Sequence, residues 1–581
     1  MSRRRMFAAL LVAFGMVGST MTAAEPNGSP AGRFDLPWEG FAPANTVLRD
    51  GPPERVGLDP APIEAAVAQV GEWTRSHPDP KVTHPLYSGA VSLLAHNGVV
   101  VSRATAGQAV RYADAAGTEL PADQQVPMRN DTIFDMASVS KLFTSIVVMQ
   151  LVEAGKVDVR KPVADYVPEF GVNGKEVITV QQLLTHTSGL VSWLPLWSAH
   201  PDIPARIKAV MDVAPRTTPG TNYEYSDLNL ITLGVLVERL TGDTLDVVVR
   251  ERITEPLRMV DTGYNPPADK LDRIAATEFQ TAPPRGMVRG SVHDENAWSL
   301  GGVAGHAGVF STAGDMAVLA QTILNGGTYN GKRILRSGTV RDMLRNYTQD
   351  FPGHDHGLGF ELNQRWYMGG LTAPGTAGHT GYTGTDLVID PASRSFAILL
   401  SNRVHPSRSW GSINLARETL CNGLAKALAV RPKHGRTSWY AGLGDASTAT
   451  LTTDTITPRG AVRVNFDAFV DSESTDPLVL ESSTDGTTWT PLALTVRGHG
   501  APDESVSALS GAGHRAWWRV QARLPHAAEI TLRWRFTTDP RYTGRGIHLD
   551  GVLITDSVRT LLNGEKEPHR LQPEGWQTTS R

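Results

Sequence analysis

The sequence predicts an α/β (α+β) domain, with one antiparallel sheet flanked by helices, followed by an all-β sandwich domain. Residues 89–104 contain two apolar runs separated by Asn-Gly, a dipeptide typical of tight hairpins. Further strand-like runs lie within residues 357–400, and the intervening stretch 163–262 has mainly helical periodicity. One sheet must therefore be assembled from distant segments. From residue 439 onward, short β-rich segments replace helical periodicity, which predicts the second domain.

The composition is that of a globular protein with more than one domain. The 581 residues exceed what one hydrophobic core usually serves, and 40% hydrophobic and 20% charged residues are typical of folded chains. A formal net charge of −4 gives no reason to expect nucleic acid or an anionic membrane surface as a partner. Cys421 is the single cysteine, which excludes an intramolecular disulfide, and we expect it to be a buried apolar residue.

The first residues have the pattern of a cleavable export signal. Three arginines precede an apolar run from Met6 to about Gly18, and small residues follow as far as Ala24. This order is typical of a secretory signal peptide, and the run is shorter than the ~20 apolar residues of a membrane span. We therefore predict a signal peptide at 1–24, cut near Ala24, and a Pro- and Gly-rich leader at 25–55. The product is expected to be secreted (extracytoplasmic), without stable membrane insertion.

The α+β domain is assigned to residues 56–430, and its elements follow from local signals. A helix is expected after Asp59, because prolines at positions 60 and 62 suit a first helical turn. The other predicted elements are strands at 89–94, 99–104, 357–363, 383–389 and 395–400, and a closing helix at 412–429.

The second domain is assigned to residues 439–558, after a linker at 431–438 and before a polar tail at 559–581. Its expected strands include 461–469, 478–481, 517–522 and 529–536. Short strands separated by turns, without helical periodicity, are typical of a β-sandwich or jelly roll.

Ser138 and Lys141 are the most informative pair for function. They lie in Ser-Val-Ser-Lys at the start of an apolar helical stretch, so one helical turn separates the hydroxyl from the amine. A serine hydroxyl needs a neighbouring base to act as a nucleophile, and a lysine serves if burial or nearby positive charge lowers its pKa. The chain contains no second Ser-x-x-Lys, but such tetrapeptides arise by chance, so further motifs must decide.

Two downstream motifs follow in a fixed order: Tyr-Ser-Asp at 225–227 and His-Thr-Gly at 379–381. The three elements resemble those of the serine β-lactamase and penicillin-binding-protein superfamily. The tyrosine resembles its class C β-lactamase, D-aminopeptidase and esterase branch, as do the stretches 178–190 and 233–242. The resemblance covers roughly residues 56–430. It implies a β-lactamase/DD-peptidase-like fold, in which a helical lobe lies beside the sheet and the active site lies between them.

The resemblance also implies a role for the motif residues. Ser138 would be the nucleophile that forms an acyl-enzyme, while Lys141 and Tyr225 shuttle its proton. The nearby amine is expected to lower the pKa of the phenol. The backbone N–H groups of Ser138 and Tyr382 would form the oxyanion hole. This mechanism needs no metal and no cofactor.

The substrate-binding residues implied by the resemblance are Asp227, His379, Thr380 and Gly381, and two of them depart from the usual pattern. Asp227 replaces an asparagine and can only accept hydrogen bonds, so it should hold the Lys141 amine charged and shift proton transfer to the tyrosine. His379 replaces a lysine, and with an unperturbed pKa of ~6.5 it is mostly neutral above that pH. Binding of a substrate carboxylate should therefore weaken.

Residues 291–312 resemble a subgroup of exported serine hydrolases that includes enzymes of muropeptide turnover with N-acetylmuramoyl-L-alanine amidase activity. Their acidic and histidine residues (His293, Asp294, Glu295 and His306) have no standard zinc spacing, so we predict hydrogen bonds that order the loop rather than a metal site. Residues 538–550 resemble the closing strands of jelly-roll modules of secreted bacterial hydrolases.

The predicted function is a secreted serine hydrolase that acts through a Ser138 acyl-enzyme on ester or amide bonds, with cell-wall muropeptides as the leading substrates. A D-Ala-D-Ala-type carboxypeptidase or weak β-lactamase is an alternative that the two departures disfavour. A non-catalytic cell-wall-binding or sensor protein is an alternative of another class, which the sandwich domain supports. Cell-wall glycan is a candidate partner of that domain.

Overall fold

A computed structural model describes residues 32–581 of the chain. The predicted signal peptide at 1–24 and the start of the leader lie outside the described residues. Within 32–581, no helix is both long enough and apolar enough to cross a lipid bilayer.

An eight-stranded sheet, here called the large sheet, organises the first domain. Its strands run in the order Arg49–Asp50, Val99–Val110, Gly89–His96, Ser395–Ser401, Thr385–Asp390, Ala377–Thr380 and Glu361–Leu362, and Val126–Pro127 pairs beside Val99–Val110. Neighbouring strands are antiparallel except for the first pair, which is parallel. The predicted fold class is confirmed, since strands from both ends of the domain meet in one sheet.

Helices cover both faces of the large sheet because successive side chains of a strand point to opposite faces. One face packs against Pro60–Glu72 and Asn414–Ala427. The other face shares the largest buried core with Ser140–Glu153 and Ala313–Leu324. Both sides of the sheet are therefore buried, each in its own hydrophobic core.

The remaining helices of the first domain are mostly short, and Asp227–Thr241 packs against Ser140–Glu153. They are Val180–Leu184, Leu196–Ala199, Ile203–Asp212, Asp227–Thr241, Leu245–Val249, Glu255–Leu257, Glu295–Ser299, Ser337–Met343 and Arg365–Met368. A three-stranded sheet of Phe134–Asp135, Val309–Ser311 and Gly263–Tyr264 lies next to the predicted nucleophile.

The strand predicted at 357–363 is shorter than expected, because only Glu361–Leu362 pairs with the large sheet. The preceding residues turn instead: the Gly357 N–H donates to the carbonyl of Phe360, and Gly359 has a φ of +97°. Glycine adopts such an angle without a steric penalty.

The second domain is a sandwich of two antiparallel sheets. One sheet has the order Leu494–Arg497, Trp517–Leu524, Val462–Asp471, Gly546–Thr555, Ser438–Ala441 and Gln577–Thr579, with Thr560–Asn563 paired to Gly546–Thr555. The other has the order Thr490–Pro491, Leu478–Ser483, Thr531–Thr537, Thr448–Thr453 and Leu571–Glu574. Trp534 is fully buried between them and contacts Phe466 edge-on, at 5.6 Å between ring centroids.

Two segments expected to be irregular are part of the fold. The residues predicted as a polar tail, 559–581, supply three strands, because their widely spaced apolar side chains, such as Leu562 and Trp576, are buried in the sandwich core. Within the predicted leader, Phe34 is fully buried and lies 6.2 Å from the ring of Phe469 in the sandwich.

The two domains share a buried polar contact as well as this apolar one. The Arg515 guanidinium of the sandwich lies 3.1 Å from the Asp390 carboxylate of the large sheet, and both side chains are at most 1% exposed. The Arg545 guanidinium donates to the carbonyls of Ala425 and Leu428 at the end of the closing helix.

Candidate active site

Ser138 lies on a tight turn, residues 135–139, here called the nucleophile turn. Ala137 has a φ of +46°, an unfavourable angle for a residue with a Cβ. The Asp135 carboxylate holds this turn by accepting hydrogen bonds from the N–H groups of Ala137 (2.8 Å) and His293 (2.6 Å). The turn leads directly into Ser140–Glu153 and so presents Ser138 at the start of a buried helix.

The hairpin after Ala377–Thr380 is tied to the same turn. Thr383 donates from Oγ1 to the carbonyl of Asp135 (2.7 Å), and Thr385 donates to that of Met136 (3.1 Å). A Cβ on Gly381 would lie only 2.5 Å from the Met136 carbonyl oxygen. The close approach of strand edge and nucleophile therefore requires glycine at this position.

The predicted catalytic residues meet around the Lys141 ammonium, whose side chain is 1% exposed. Its Nζ lies 3.0 Å from Ser138 Oγ, 2.8 Å from Asp227 Oδ1 and 3.1 Å from the carbonyl oxygen of His306. It also lies 4.9 Å from the centre of the Tyr225 ring. Residues more than 80 positions apart are thus brought into one cluster.

The charge on Lys141 agrees with the expectation, but the pKa of Tyr225 does not. Burial lowers the pKa of Lys141, but the Asp227 carboxylate and the Tyr225 phenol outweigh it, so the net pKa is raised and the amine is charged. The Tyr225 phenol was expected to have a lowered pKa. Its pKa is instead raised to about 12, because burial outweighs the attraction of Lys141. Neither residue is a free base at neutral pH.

His186 fixes the position of Tyr225. The two rings stack at 4.5 Å between centroids, and His186 Nδ1 accepts a hydrogen bond from the N–H of Ser226 (3.0 Å). Burial, with neighbouring charged groups, holds the pKa of His186 well below its usual value, so the imidazole is neutral. His186 is therefore a positioning residue.

His379 lies in the pocket wall as a neutral acceptor. Burial, together with the nearby Lys141, lowers its pKa to about 3. Its Nδ1 donates to the carbonyl oxygen of Thr380 (2.8 Å), which leaves Nε2 with a lone pair. Among the described residues, Nε2 has no hydrogen-bond partner. The sequence predicted that His379 in place of a lysine removes a positive charge from the pocket. Because His379 is buried, it stays neutral over a wider pH range than an exposed histidine would.

The cluster borders a pocket of about 680 Å³. Six residues of the predicted set line it: Ser138, Tyr225, His379, Thr380, Gly381 and Tyr382. Further lining residues belong to no predicted motif and include Tyr223, His354, Glu361, Trp366, Arg403 and Arg417. Asp227 and Lys141 do not line the pocket: Asp227 contacts Lys141, which contacts the pocket-lining Ser138.

Arg417 supports the hairpin that follows Ala377–Thr380. It is buried, and its guanidinium donates to the carbonyls of Gly381 (2.8 Å) and Thr385 (3.1 Å). Glu361 also lines the pocket, and burial raises its pKa to about 7. The sequence signal that could have identified Arg417 was an arginine on the side of the closing helix that faces the core.

The expected oxyanion-hole groups lie at the two edges of this cleft. The N–H of Tyr382 donates to no other group within residues 32–581. Ser138 lies in the first turn of a helical segment, where N–H groups have no intrahelical acceptor. The Tyr382 ring, which is 50% exposed, lies 4.6 Å beneath the Arg403 guanidinium.

The loop with His293, Asp294, Glu295 and His306 is ordered by hydrogen bonds and by the pairing of Glu295 with the Arg408 guanidinium. Asp294 accepts from the N–H of Ala297 and from His306 Nε2 (3.0 Å). His293 Nε2 lies 2.8 Å from the Glu278 carboxylate. Asp227, Asp294 and His306 offer ligand atoms within 4.8 Å of one another, but the Lys141 ammonium already lies against Asp227.

Comparisons with known proteins agree on one family. A family model described as "Beta-lactamase" matches residues 81–419, which is more than half of the chain. A protein of Escherichia coli (strain K12) named "Putative D-alanyl-D-alanine carboxypeptidase" is 32% identical over 397 residues, which cover 62% of this chain and 86% of that protein. The "N-acetylmuramyl-L-alanine amidase" of Bacillus subtilis (strain 168) is 31% identical over 382 residues, covering 60% and 85%.

A solved structure described as "A class C beta-lactamase" shares the fold. Its TM-score is 0.50 at 18% sequence identity, over 64% of this chain and 99% of that one. The family-model match ends at residue 419, before the sandwich begins.

Proposed function

The chain belongs to the β-lactamase family and is a serine hydrolase, and from this premise we propose that it cleaves amide bonds of muropeptides through an acyl-enzyme at Ser138. The observation that carries this proposal is the contact between Ser138 Oγ and the buried Lys141 ammonium, which in turn pairs with Asp227. A charged lysine cannot itself accept the serine proton. The proton acceptor must therefore be found beside it.

Asp227 is that acceptor in the proposed mechanism. As Ser138 Oγ attacks the substrate carbonyl carbon, its proton passes to Lys141 while Lys141 gives a proton to the Asp227 carboxylate. The carbonyl oxygen becomes an oxyanion bound by the N–H groups of Ser138 and Tyr382, each worth ~10²–10³ in rate. The carbon–nitrogen bond then breaks as the leaving nitrogen takes a proton from the Tyr225 hydroxyl; Lys141 returns a proton to Tyr225, and the protonated Asp227 returns one to Lys141. Water then attacks the acyl carbon while its proton passes through Lys141 to Asp227, and the acid leaves as Ser138 Oγ takes that proton back.

Support for a muropeptide substrate comes from the pocket and from the named amidase relative. His379 Nε2 and Glu361 Oε2 are acceptors without a partner among the described residues. Substrates with amide N–H and hydroxyl donors would satisfy such atoms, and buried polar atoms are costly when unpaired. Sugar-peptide fragments carry both kinds of donor.

A second candidate function is a D-Ala-D-Ala carboxypeptidase, which the name of the E. coli relative favours. This activity would need a cation for the terminal carboxylate of the substrate. His379 is neutral, so Arg403 at the pocket rim would have to supply that charge.

We also propose that the protein is exported, on the basis of the basic and apolar pattern of residues 1–24. Muropeptides lie outside the cytoplasmic membrane, so export would bring enzyme and substrate together. N-terminal sequencing of the protein recovered from culture medium or periplasm tests this, and a mature chain beginning near residue 25 is expected.

The hydrolase proposal is tested by intact-mass spectrometry of the wild type and of Ser138→Ala. After incubation with a fluorophosphonate, the wild type should gain one adduct that the variant lacks, and purified muropeptides should be cleaved at the sugar–L-alanine amide. A lasting penicilloyl adduct with release of D-alanine would favour the carboxypeptidase. No Ser138-dependent adduct or turnover would leave a non-catalytic wall-binding protein as the better account.

A further inference from the structure

Three acidic side chains that do not belong to the pocket lining meet at one rim of the sandwich. Glu473 and Asp476 follow the strand Val462–Asp471, and Asp539 follows Thr531–Thr537. One carboxylate oxygen from each lies within 4.8 Å of the other two. Oxygens around one calcium ion, each 2.3–2.6 Å from the metal, have such separations.

Asp476 is the member of the cluster with a buried carboxylate oxygen that lacks a hydrogen-bond partner within residues 32–581. It is 0% exposed, and its Oδ1 accepts a hydrogen bond from the N–H of Asp539 (2.8 Å). Its other oxygen, Oδ2, is buried and has no hydrogen-bond partner among the described residues. An ionised carboxylate oxygen without a partner is costly to bury, so a cation is the natural partner.

The three carboxylates also lack a close cationic partner in the described part of the chain. Within residues 32–581, none of the three carboxylates forms an ion pair within 4.0 Å. The exposed Asp445 lies nearby and adds a further negative charge, and Arg365 is a nearby cation that offsets only part of the total.

We propose that Glu473, Asp476 and Asp539 bind one calcium ion. The donor atoms are all carboxylate oxygens, which are the ligands of hard divalent cations, and no sulfur or imidazole is among them. Calcium accepts six to eight oxygens in flexible geometry, so backbone carbonyls and water can complete the site. Magnesium would require closer, octahedral ligands.

The position of the site gives calcium a structural role. It joins the loop after Val462–Asp471 to the loop after Thr531–Thr537, and these strands belong to different sheets of the sandwich. The second loop continues to Thr543, whose carbonyl accepts from Arg365 of the first domain (3.2 Å). Calcium would therefore stabilise the sandwich rim that contacts the hydrolase domain.

The test uses the full chain after treatment with a chelator. Calorimetric titration with calcium chloride should give one site with a dissociation constant of about 10⁻⁴–10⁻³ M or tighter, as in extracellular modules. The melting temperature should rise with calcium concentration, because a ligand that binds only the folded state stabilises it. Magnesium chloride at the same concentration should have little effect.

Asp476→Asn removes the charge while keeping the side-chain shape, and Asp503→Asn, at an exposed position of the same domain, is the matched control. Asp476→Asn should abolish both calcium responses, and Asp503→Asn should retain them. The proposal is wrong if the wild type shows neither heat nor a rise in melting temperature with millimolar calcium. It is also wrong if magnesium acts equally or if Asp476→Asn responds like the wild type, and none of these results depends on the hydrolase activity.

Discussion

Replacing Asp227 by asparagine removes the carboxylate that lies 2.8 Å from the Lys141 ammonium. At an effective dielectric constant of about 20, two unit charges at this distance attract by about 6 kcal/mol. Asp227 is 21% exposed, and broken buried pairs cost about 3–5 kcal/mol in practice. The pKa of Lys141 should therefore fall, because burial favours the neutral amine and this carboxylate no longer opposes it.

The consequence for catalysis is a change in pH dependence. In the wild type, Lys141 works as the charged ammonium because its pKa is raised, so kcat/KM for a p-nitrophenyl ester should not rise with pH around neutrality. In Asp227→Asn the reaction needs a neutral Lys141, so the rate should rise with pH through the lowered lysine pKa. At about pH 6 we expect a loss of ~10²–10⁴, the usual contribution of a general base, with partial recovery in alkaline buffer.

The control is Glu224→Gln, in the same loop, whose carboxylate pairs with Arg216 at the surface. Its pH profile should match that of the wild type. If Asp227→Asn kept the wild-type rate and profile, Asp227 would not be the proton acceptor, and the reasoning from the buried ion pair would be refuted.

Three further predictions concern the pocket and the domain contact. Gly381→Ala places a methyl group 2.5 Å from a carbonyl of the nucleophile turn, so ester hydrolysis should fall at least about tenfold and stability by about 1–3 kcal/mol, measured by assay and thermal melting. Arg515→Ala leaves the Asp390 carboxylate buried without its partner and should lower the free energy of unfolding by about 3–5 kcal/mol in denaturant titration, whereas the exposed Arg541→Ala should change it little. His379→Lys introduces a cation where a neutral imidazole lies, so penicilloyl adducts in mass spectra should increase; unchanged labelling would contradict the charge argument.

Local patterns predicted the longer elements of the first domain, because these elements have a clear period. The hairpin expected around Asn97 extends over Gly89–His96 and Val99–Val110, and the closing helix is Asn414–Ala427. The final strands of the sandwich were missed because they carry few apolar residues. Gln577–Thr579 is held by pairing with Ser438–Ala441, some 140 positions earlier, and such long-range pairing leaves little trace in a local pattern.

The motifs also predicted which residues meet at the site, but they did not predict the electrostatics. Proximity to an amine suggested a lowered pKa for Tyr225, whereas burial raises it. Burial depends on the packing of His186 and other distant residues, which a motif does not encode. Arg403 and Arg417 were missed for a related reason, since each lies outside any motif and reaches the pocket only through the folded chain.

The contact of the sandwich with the large sheet bears on what the second domain does. Arg515 donates to the carbonyl of Leu371 (3.0 Å) as well as to Asp390, and Asp390 also accepts from Thr376 Oγ1 (3.3 Å). Thr376 immediately precedes Ala377–Thr380, the strand whose edge lines the pocket. A buried guanidinium of the sandwich thus fixes the start of the substrate-binding strand. A module held only by a flexible linker would have no such connection, so the sandwich supports the geometry of the active site whether or not it also binds cell-wall glycan.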